Sequence, residues 1–182
     1  PLEADNILLN GLAGLEYRGY DSSGVALLSD SGDLNVHKAK GRVSELELYC
    51  HDKDTTGSVG IAHTRWATHG EPSDINAHPQ LDNSGRIAIV HNGTIENYGV
   101  LKEALRKRGC FFHSETDTEV LAVLIGYMRA EHQCSLEEAV RLALRKVVGA
   151  YAIAVVDVEC PDMIVAARKS SPLAIGIGDG EF

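Results

Sequence analysis

The chain has 182 residues, with 17 Lys and Arg against 26 Asp and Glu, for a net charge of −9. That length fits one domain large enough to build its own core, and the acidic balance argues against a general binder of nucleic acid or anionic membrane. Charged residues at 24% and hydrophobic ones at 44% are globular values, not those of a disordered chain. The longest apolar runs, Val120–Ile125 and Ala150–Val156, fall well short of the ~20 residues that cross a bilayer.

In chain order, Ile7, Leu8, Gly11, Leu12 and Leu15 recur at helical spacing, so Ala4–Tyr17 reads as a helix that Gly19 ends. Gly24–Ser29 and Leu34–Lys40 flank Asp30-Ser31-Gly32-Asp33, a hairpin signal. Val43–Tyr49 reads as a short helix. Ser58–Thr64 and Arg86–His91 read as strands joined by a long polar loop, Ala67–Ser84, of a length that is usually functional or disordered.

The second half is more helical. Asn97–Arg108 carries Val100, Leu101, Ala104 and Leu105 on one side and ends in basic residues before Gly109. Thr116-Asp117-Thr118-Glu119 and Ser135-Leu136-Glu137-Glu138 have the spacing of capping boxes. Helices follow each, over Val120–Arg129 and along the stripe Leu136, Ala139, Val140, Ala143, Leu144 and Val147. Ala150–Val156 and Met163–Ala167 are near-continuous apolar runs around a Pro161-Asp162 turn, so both faces of these strands should be covered. Leu173–Ile177 reads as a last strand. The pattern predicts an α+β fold, with a four-layer αββα sandwich as one natural solution.

Four cysteines, at 50, 110, 134 and 160, show no Cys-x-x-Cys spacing. Together with the lack of a charged-then-apolar leader, this reads as reduced thiols in the cytoplasm. The chain opens at Pro1 rather than at a methionine.

Three polar clusters could carry chemistry. His63-Thr64-Arg65-Trp66-Ala67-Thr68-His69-Gly70 holds the only tryptophan and leaves a strand for the long loop. Arg65 could clamp a carboxylate through charge-assisted bonds worth roughly 1.5–3 kcal/mol; equally, it could form a surface ion pair while Trp66 fills the core. His91-Asn92-Gly93, at the end of the next strand, could offer an amide and a backbone N–H as an oxyanion hole, or could simply be a turn. The acids of Ser114–Glu119 suit a helix N-terminus, and an aspartate among them could receive an ammonium group. His63, His69, His78 and His91 gather near one edge without the spacing of a zinc motif, so no metal is expected.

Glu16-Tyr17-Arg18-Gly19-Tyr20-Asp21-Ser22, His63–Gly70, Asn76-Ala77-His78-Pro79, His91-Asn92-Gly93 and Ser114–Glu119 occur in that order. Together they resemble the glutaminase domains of the glutamine–fructose-6-phosphate aminotransferase family, over nearly the whole chain. The Tyr-Arg-Gly-Tyr-Asp and Arg-Trp-Ala-Thr-His wording is closer to that branch of the class II glutamine amidotransferases than to the amidophosphoribosyltransferases.

The resemblance implies an N-terminal-nucleophile hydrolase fold and hydrolysis of L-glutamine to glutamate and ammonia, without a cofactor. The ammonia would serve glucosamine 6-phosphate synthesis from fructose 6-phosphate in a downstream sugar-phosphate isomerase domain of a homo-oligomeric protein. Arg65 would hold the glutamine α-carboxylate and Asp117 its α-ammonium. Thr68 and His69 would belong to a closing loop, and Trp66 would be the neighbouring gate residue. Asn92 and the Gly93 amide would stabilise the oxyanion, and Arg18 would lie near the reacting terminus. In that family the nucleophile is an N-terminal cysteine on a first strand. The 182 residues are therefore expected to be one glutaminase domain lacking that strand, which would leave neighbouring edges unpaired. As alternatives, the chain is a non-catalytic glutamine-binding module or pseudo-enzyme, or a scaffold whose motifs are relics.

Overall fold

The computed structural model describes residues 4–29 and 31–178. Helix α1 (Ala4–Leu15) runs into a 3₁₀ turn, Glu16–Arg18, which ends where the Gly19 N–H donates to the Glu16 carbonyl. Strands β1 (Ser22–Leu28) and β2 (Leu34–Lys40) form the expected hairpin, although Asp30 of its turn lies outside the described residues. Helix α2 (Val43–Cys50) and strand β3 (Val59–Arg65) follow. Next come β4 (Gln80–Leu81), β5 (Ile87–Ile95) and α3 (Tyr98–Arg106). The chain continues through α4 (Asp117–His132), α5 (Leu136–Leu144), β6 (Gly149–Asp157) and β7 (Val165–Lys169).

Two antiparallel sheets result, ordered β2-β1-β3 and β4-β5-β6-β7. Alternation along each strand sorts side chains into three separate cores. Val25 and Leu27 of β1 face α1 and α2, whereas Ala26 and Leu28 face the second sheet. Ile87 and Ile89 of β5 face the layer of α3, α4 and α5, whereas Ala88 and Val90 face the first sheet. The architecture is thus the four-layer αββα sandwich, one core per interface. β1 is buried along its whole length because a helix layer covers one side and a sheet the other.

Both capping serines and threonines act as expected. Thr116 Oγ1 accepts from the Glu119 N–H at 3.1 Å and Ser135 Oγ from the Glu138 N–H at 3.4 Å. The first box is not reciprocal, however. The Glu119 carboxylate turns away from Thr116 and accepts from the His113 and Ser114 N–H groups, both at 2.7 Å. It thereby braces the segment that leads into α4.

Four expectations need correction. β5 does not stop at His91 but pairs with β6 through Asn92, Gly93 and Thr94 to Ile95, so Asn92-Gly93 is strand and not turn. The loop Ala67–Ser84 is interrupted by β4, which pairs with β5. Leu173–Ile177 forms no strand, and its larger side chains lie exposed, because no neighbouring strand among the described residues pairs with it. Double coverage holds for β6 but not for β7, an edge strand that is largely exposed.

One ion pair is anchored in this framework. Asp157, fully buried at the end of β6, pairs with the Arg129 guanidinium of α4, which also reaches Glu159 at 3.0 Å. Removing Arg129 strands a buried carboxylate. Arg129→Ala is expected to destabilise the fold by about 3–5 kcal/mol, read from urea denaturation; a loss of only about 0–1 kcal/mol would be surface-pair behaviour.

Candidate active site

The inter-sheet face of β3 carries Ile61, His63 and Arg65 at alternate positions, and that of β5 carries Ala88, Val90 and Asn92. Toward one end the hydrocarbon of this interface therefore gives way to polar side chains. There the sheets part into a cleft of about 320 Å³, lined by Arg18, His63, Arg65, Trp66, Thr68, His69, Asn92, Gly93 and Asp117 among others. Every residue that the sequence singled out for binding or oxyanion stabilisation is in that lining. The Ser114–Glu119 cluster reaches it through Thr116, Asp117 and Thr118.

Arg65 ends β3 and is buried. Its Nη2 donates to the backbone carbonyls of His69 and of Gly70, the latter at 3.1 Å, so the loop that follows the strand folds back to grip its guanidinium. Nη1 is buried with no hydrogen-bond partner among the described residues. Burial lowers the guanidinium pKa and the nearby carboxylates of Asp21 and Asp117 raise it; an arginine so placed stays charged. Asp21 also accepts from the Ala67 N–H at 2.7 Å, fixing the start of the loop. A surface ion pair is thereby excluded for Arg65. Trp66, 63% exposed, is no core residue; its ring meets Tyr20 edge-on at the rim.

The opposite wall is the first turn of α4, stitched to β5 by two hydrogen bonds. Asp117 Oδ2 accepts from the Ile95 N–H at 2.8 Å, and Thr118 Oγ1 lies 3.0 Å from His91 Nδ1. Asp117 is thus buried at a helix N-terminus, where backbone N–H groups favour a negative charge. Between the walls, Gly93 has φ +138°, and a Cβ there would overlap the Ala150 carbonyl oxygen. Only glycine fits this close approach of β5 to β6. Asn92 and Gly93 are exposed to the cleft.

Sequence reasoning left several participants without a role. Asn76 ties the long loop to the α4 entrance: its Oδ1 accepts from the Glu115 N–H at 3.0 Å, and its Nδ2 donates to the Glu71 carbonyl at 2.9 Å. The His63 and His78 rings lie 4.5 Å apart, and His63 Nε2 is 3.0 Å from Asn92 Oδ1. Alternation with Ile61 and Arg65 was the available signal for His63, whereas His78 and Asn76 arrive from a loop and were marked only by the Asn76-Ala77-His78-Pro79 motif. Among the described residues, no group of three His, Cys, Asp or Glu side chains has a metal-holding arrangement. None of the four cysteines lines the cleft. Burial, with Asp5 nearby, raises the Cys50 thiol pKa, and burial likewise raises that of Cys110.

His63 and His78 are held neutral near pH 7. Burial pushes His63 down to about 4, with His91 and Arg65 adding to the shift and the Asn92 hydrogen bond opposing it. Burial first, then His63, His91, Arg65 and Lys38, lowers His78 well below 6.5. An unfolded histidine takes up its proton near pH 6.5, whereas folded His63 waits until about 4. In that window the unfolded state binds more protons, so stability falls as pH falls. Urea denaturation between pH 6.5 and 4 is expected to show this loss, and His63→Phe is expected to flatten the slope; an unchanged slope would mean that His63 titrates normally.

Residues 49–171 match the family model of the glutamine amidotransferase domain. The chain is 61% identical over 176 residues to the glutamine–fructose-6-phosphate aminotransferase (isomerizing) of Bacteroides thetaiotaomicron, covering 97% of this chain and 29% of that protein. It is 55% identical over 184 residues to the protein of the same name from Chlorobaculum tepidum, covering 99% and 30%. The chain thus spans under a third of the length of these relatives. Among solved structures, the glutamine phosphoribosylpyrophosphate amidotransferase of B. subtilis, complexed with ADP and GMP, superposes with a TM-score of 0.70 at 31% identity, covering 86% of this chain and 33% of that one. A structure described as the allosteric regulatory enzyme of purine biosynthesis gives 0.72 at 33% identity, covering 83% and 32%. The chain belongs to the glutamine amidotransferase domain family.

Proposed function

We propose that this domain binds L-glutamine in the cleft and, within a longer protein, hydrolyses it to glutamate and ammonia. The observation that carries the reading is the buried Arg65 guanidinium, with Nη1 unpartnered among the described residues, in one cleft with the buried Asp117 carboxylate. A free α-amino acid presents one carboxylate and one ammonium, and this pair of opposite charges answers both. Arg65 takes the carboxylate and Asp117 the ammonium. With both ends held, the side-chain carboxamide is directed at Asn92 and Gly93, and orientation entropy is removed before reaction. Thr68 and His69 close over the amino acid from the loop, Trp66 gates the rim, and Arg18 lies near the reacting terminus.

The nucleophile is read as the N-terminal cysteine of a segment preceding Pro1 in the longer protein. Its sulfur adds to the carboxamide carbon, and the negative charge that develops on oxygen is received by the Asn92 amide and the Gly93 N–H. The neutral terminal amine takes the thiol proton and hands it to the nitrogen as the C–N bond breaks, since its ordinary pKa near 7.7–8.0 suits that exchange. Ammonia leaves, and water splits the thioester to release glutamate and the free thiol. In the relatives, the remaining two thirds or more of the chain accompany a name that includes fructose 6-phosphate and isomerisation. By that likeness the ammonia here goes to a downstream sugar-phosphate isomerase domain, in a homo-oligomeric cytoplasmic enzyme. Four unpaired cysteines suit that compartment.

The test is glutamate release by the full-length protein. Asn92→Ala is expected to lower kcat about 10²–10³-fold. Arg65→Ala and Asp117→Asn are each expected to raise the KM for glutamine roughly tenfold to a hundredfold, the worth of one charged hydrogen-bonded contact. Glutamine binding by calorimetry without turnover would reduce the domain to a binding module, and unchanged KM values in both variants would remove the proposed grip.

A further inference from the structure

A primary carboxamide has two ends of nearly equal shape and opposite chemistry. If Asn92 is to receive an oxyanion, its NH₂ must face the cleft, because its oxygen there would repel the developing charge. Asn92 is exposed, so packing alone does not choose between the two orientations. Among the described residues, its side chain has one hydrogen-bond partner, His63, at 3.0 Å.

We propose that His63 is a positioning residue that donates from Nε2 to Asn92 Oδ1 and thereby holds the Asn92 NH₂ toward the substrate. The inference rests on the reading of Asn92 as an oxyanion donor. It is carried by where the bond lies. His63 stands on β3 of the first sheet and Asn92 on β5 of the second, so the contact bridges the two sheets at the point where their facing sides part. The His63 ring is backed by His78 at 4.5 Å between centroids, and the next residue on the same face of β3 is Arg65. The imidazole thus has the His78 ring against one face and the Asn92 amide at Nε2.

The proposal requires one tautomer of His63. Desolvation of the half-buried ring lowers its pKa to about 4, so it is neutral near pH 7 and carries one proton. Nδ1 is buried and has no partner among the described residues, whereas Nε2 faces the amide. A proton on Nε2 makes it a donor and selects Oδ1 as its acceptor. A proton on Nδ1 would turn Nε2 into an acceptor, draw the Asn92 NH₂ toward β3 and leave the amide oxygen in the cleft. One proton position on a residue that need not touch glutamine thus decides whether the cleft presents a donor or an acceptor.

Kinetics and diffraction on the full-length protein test this together. His63→Phe keeps a ring but removes the donor. It is expected to lower kcat for glutamate release about tenfold or more while KM changes less than about threefold, the signature of an interaction made only in the transition state. His63→Gln, which can donate from its own amide, is expected to recover part of that loss. In an Asn92→Ala background, His63→Phe is expected to cost no more than about twofold, because a positioning effect disappears with the group it positions. An equal loss in both backgrounds, or none in either, overturns the proposal. Neutron diffraction decides the same point without turnover: a deuteron on His63 Nε2 with the Asn92 nitrogen facing the cleft supports it, and a deuteron on Nδ1 alone or the reverse amide overturns it. A wild-type protein that releases no glutamate would instead reject the hydrolase reading, while the diffraction result would still decide the role of His63.

Discussion

The molecule is organised by one packing constraint, the face-to-face contact of two antiparallel sheets. Small side chains such as Ala26, Ala88 and Val156 let the sheets approach, with Leu28 and Ile61 filling between them. Farther along the same faces, alternation brings His63, Arg65 and Asn92 to the interface in place of hydrocarbon. Polar groups cannot close such an interface without partners. The sheets consequently part there, and the cleft is the continuation of the core by other chemistry.

The polar groups at that end are held mainly by backbone. Arg65 is gripped by two carbonyls of the loop that follows it, Asp117 by the Ile95 N–H, and Glu119 by two N–H groups of the preceding segment. Backbone partners do not rotate away, so the charges of Arg65 and Asp117 keep their places across the cleft. Such preorganisation is what an electrostatic site requires. The same stitching makes α4 and β5 one rigid unit, with Asp117 on the helix and Asn92 and Gly93 on the strand.

Much of the scaffold was legible before the tertiary structure. The stripe from Leu136 to Ala143, the Thr116 and Ser135 caps and the double-faced burial of Tyr151–Val156 all follow local rules of period and capping. The failures occurred where a neighbour overrides local chemistry. Asn92-Gly93 carries a turn signal, yet β6 pairs across it and Gly93 admits the Ala150 carbonyl. Leu173–Ile177 has strand composition, yet forms no strand among the described residues. Gln80-Leu81 became strand only because β5 offered an edge.

The sequence by itself determined the helices, most strands and the doubly buried runs that imply layers, because these depend on side-chain type and spacing within a few turns of chain. The residues expected at the cleft were marked instead by an ordered set of motifs that resembles a family, since spacing alone left Arg65, Asn92 and Asp117 with structural readings as well. Only the tertiary structure decided that Arg65 and Asp117, 52 positions apart, share one cavity. It also decided which carbonyls grip the guanidinium and that His63 reaches Asn92 across two sheets. Such distances are set by how the sheets stack and by where the loop through Asn76 and His78 returns, and no local periodicity encodes either.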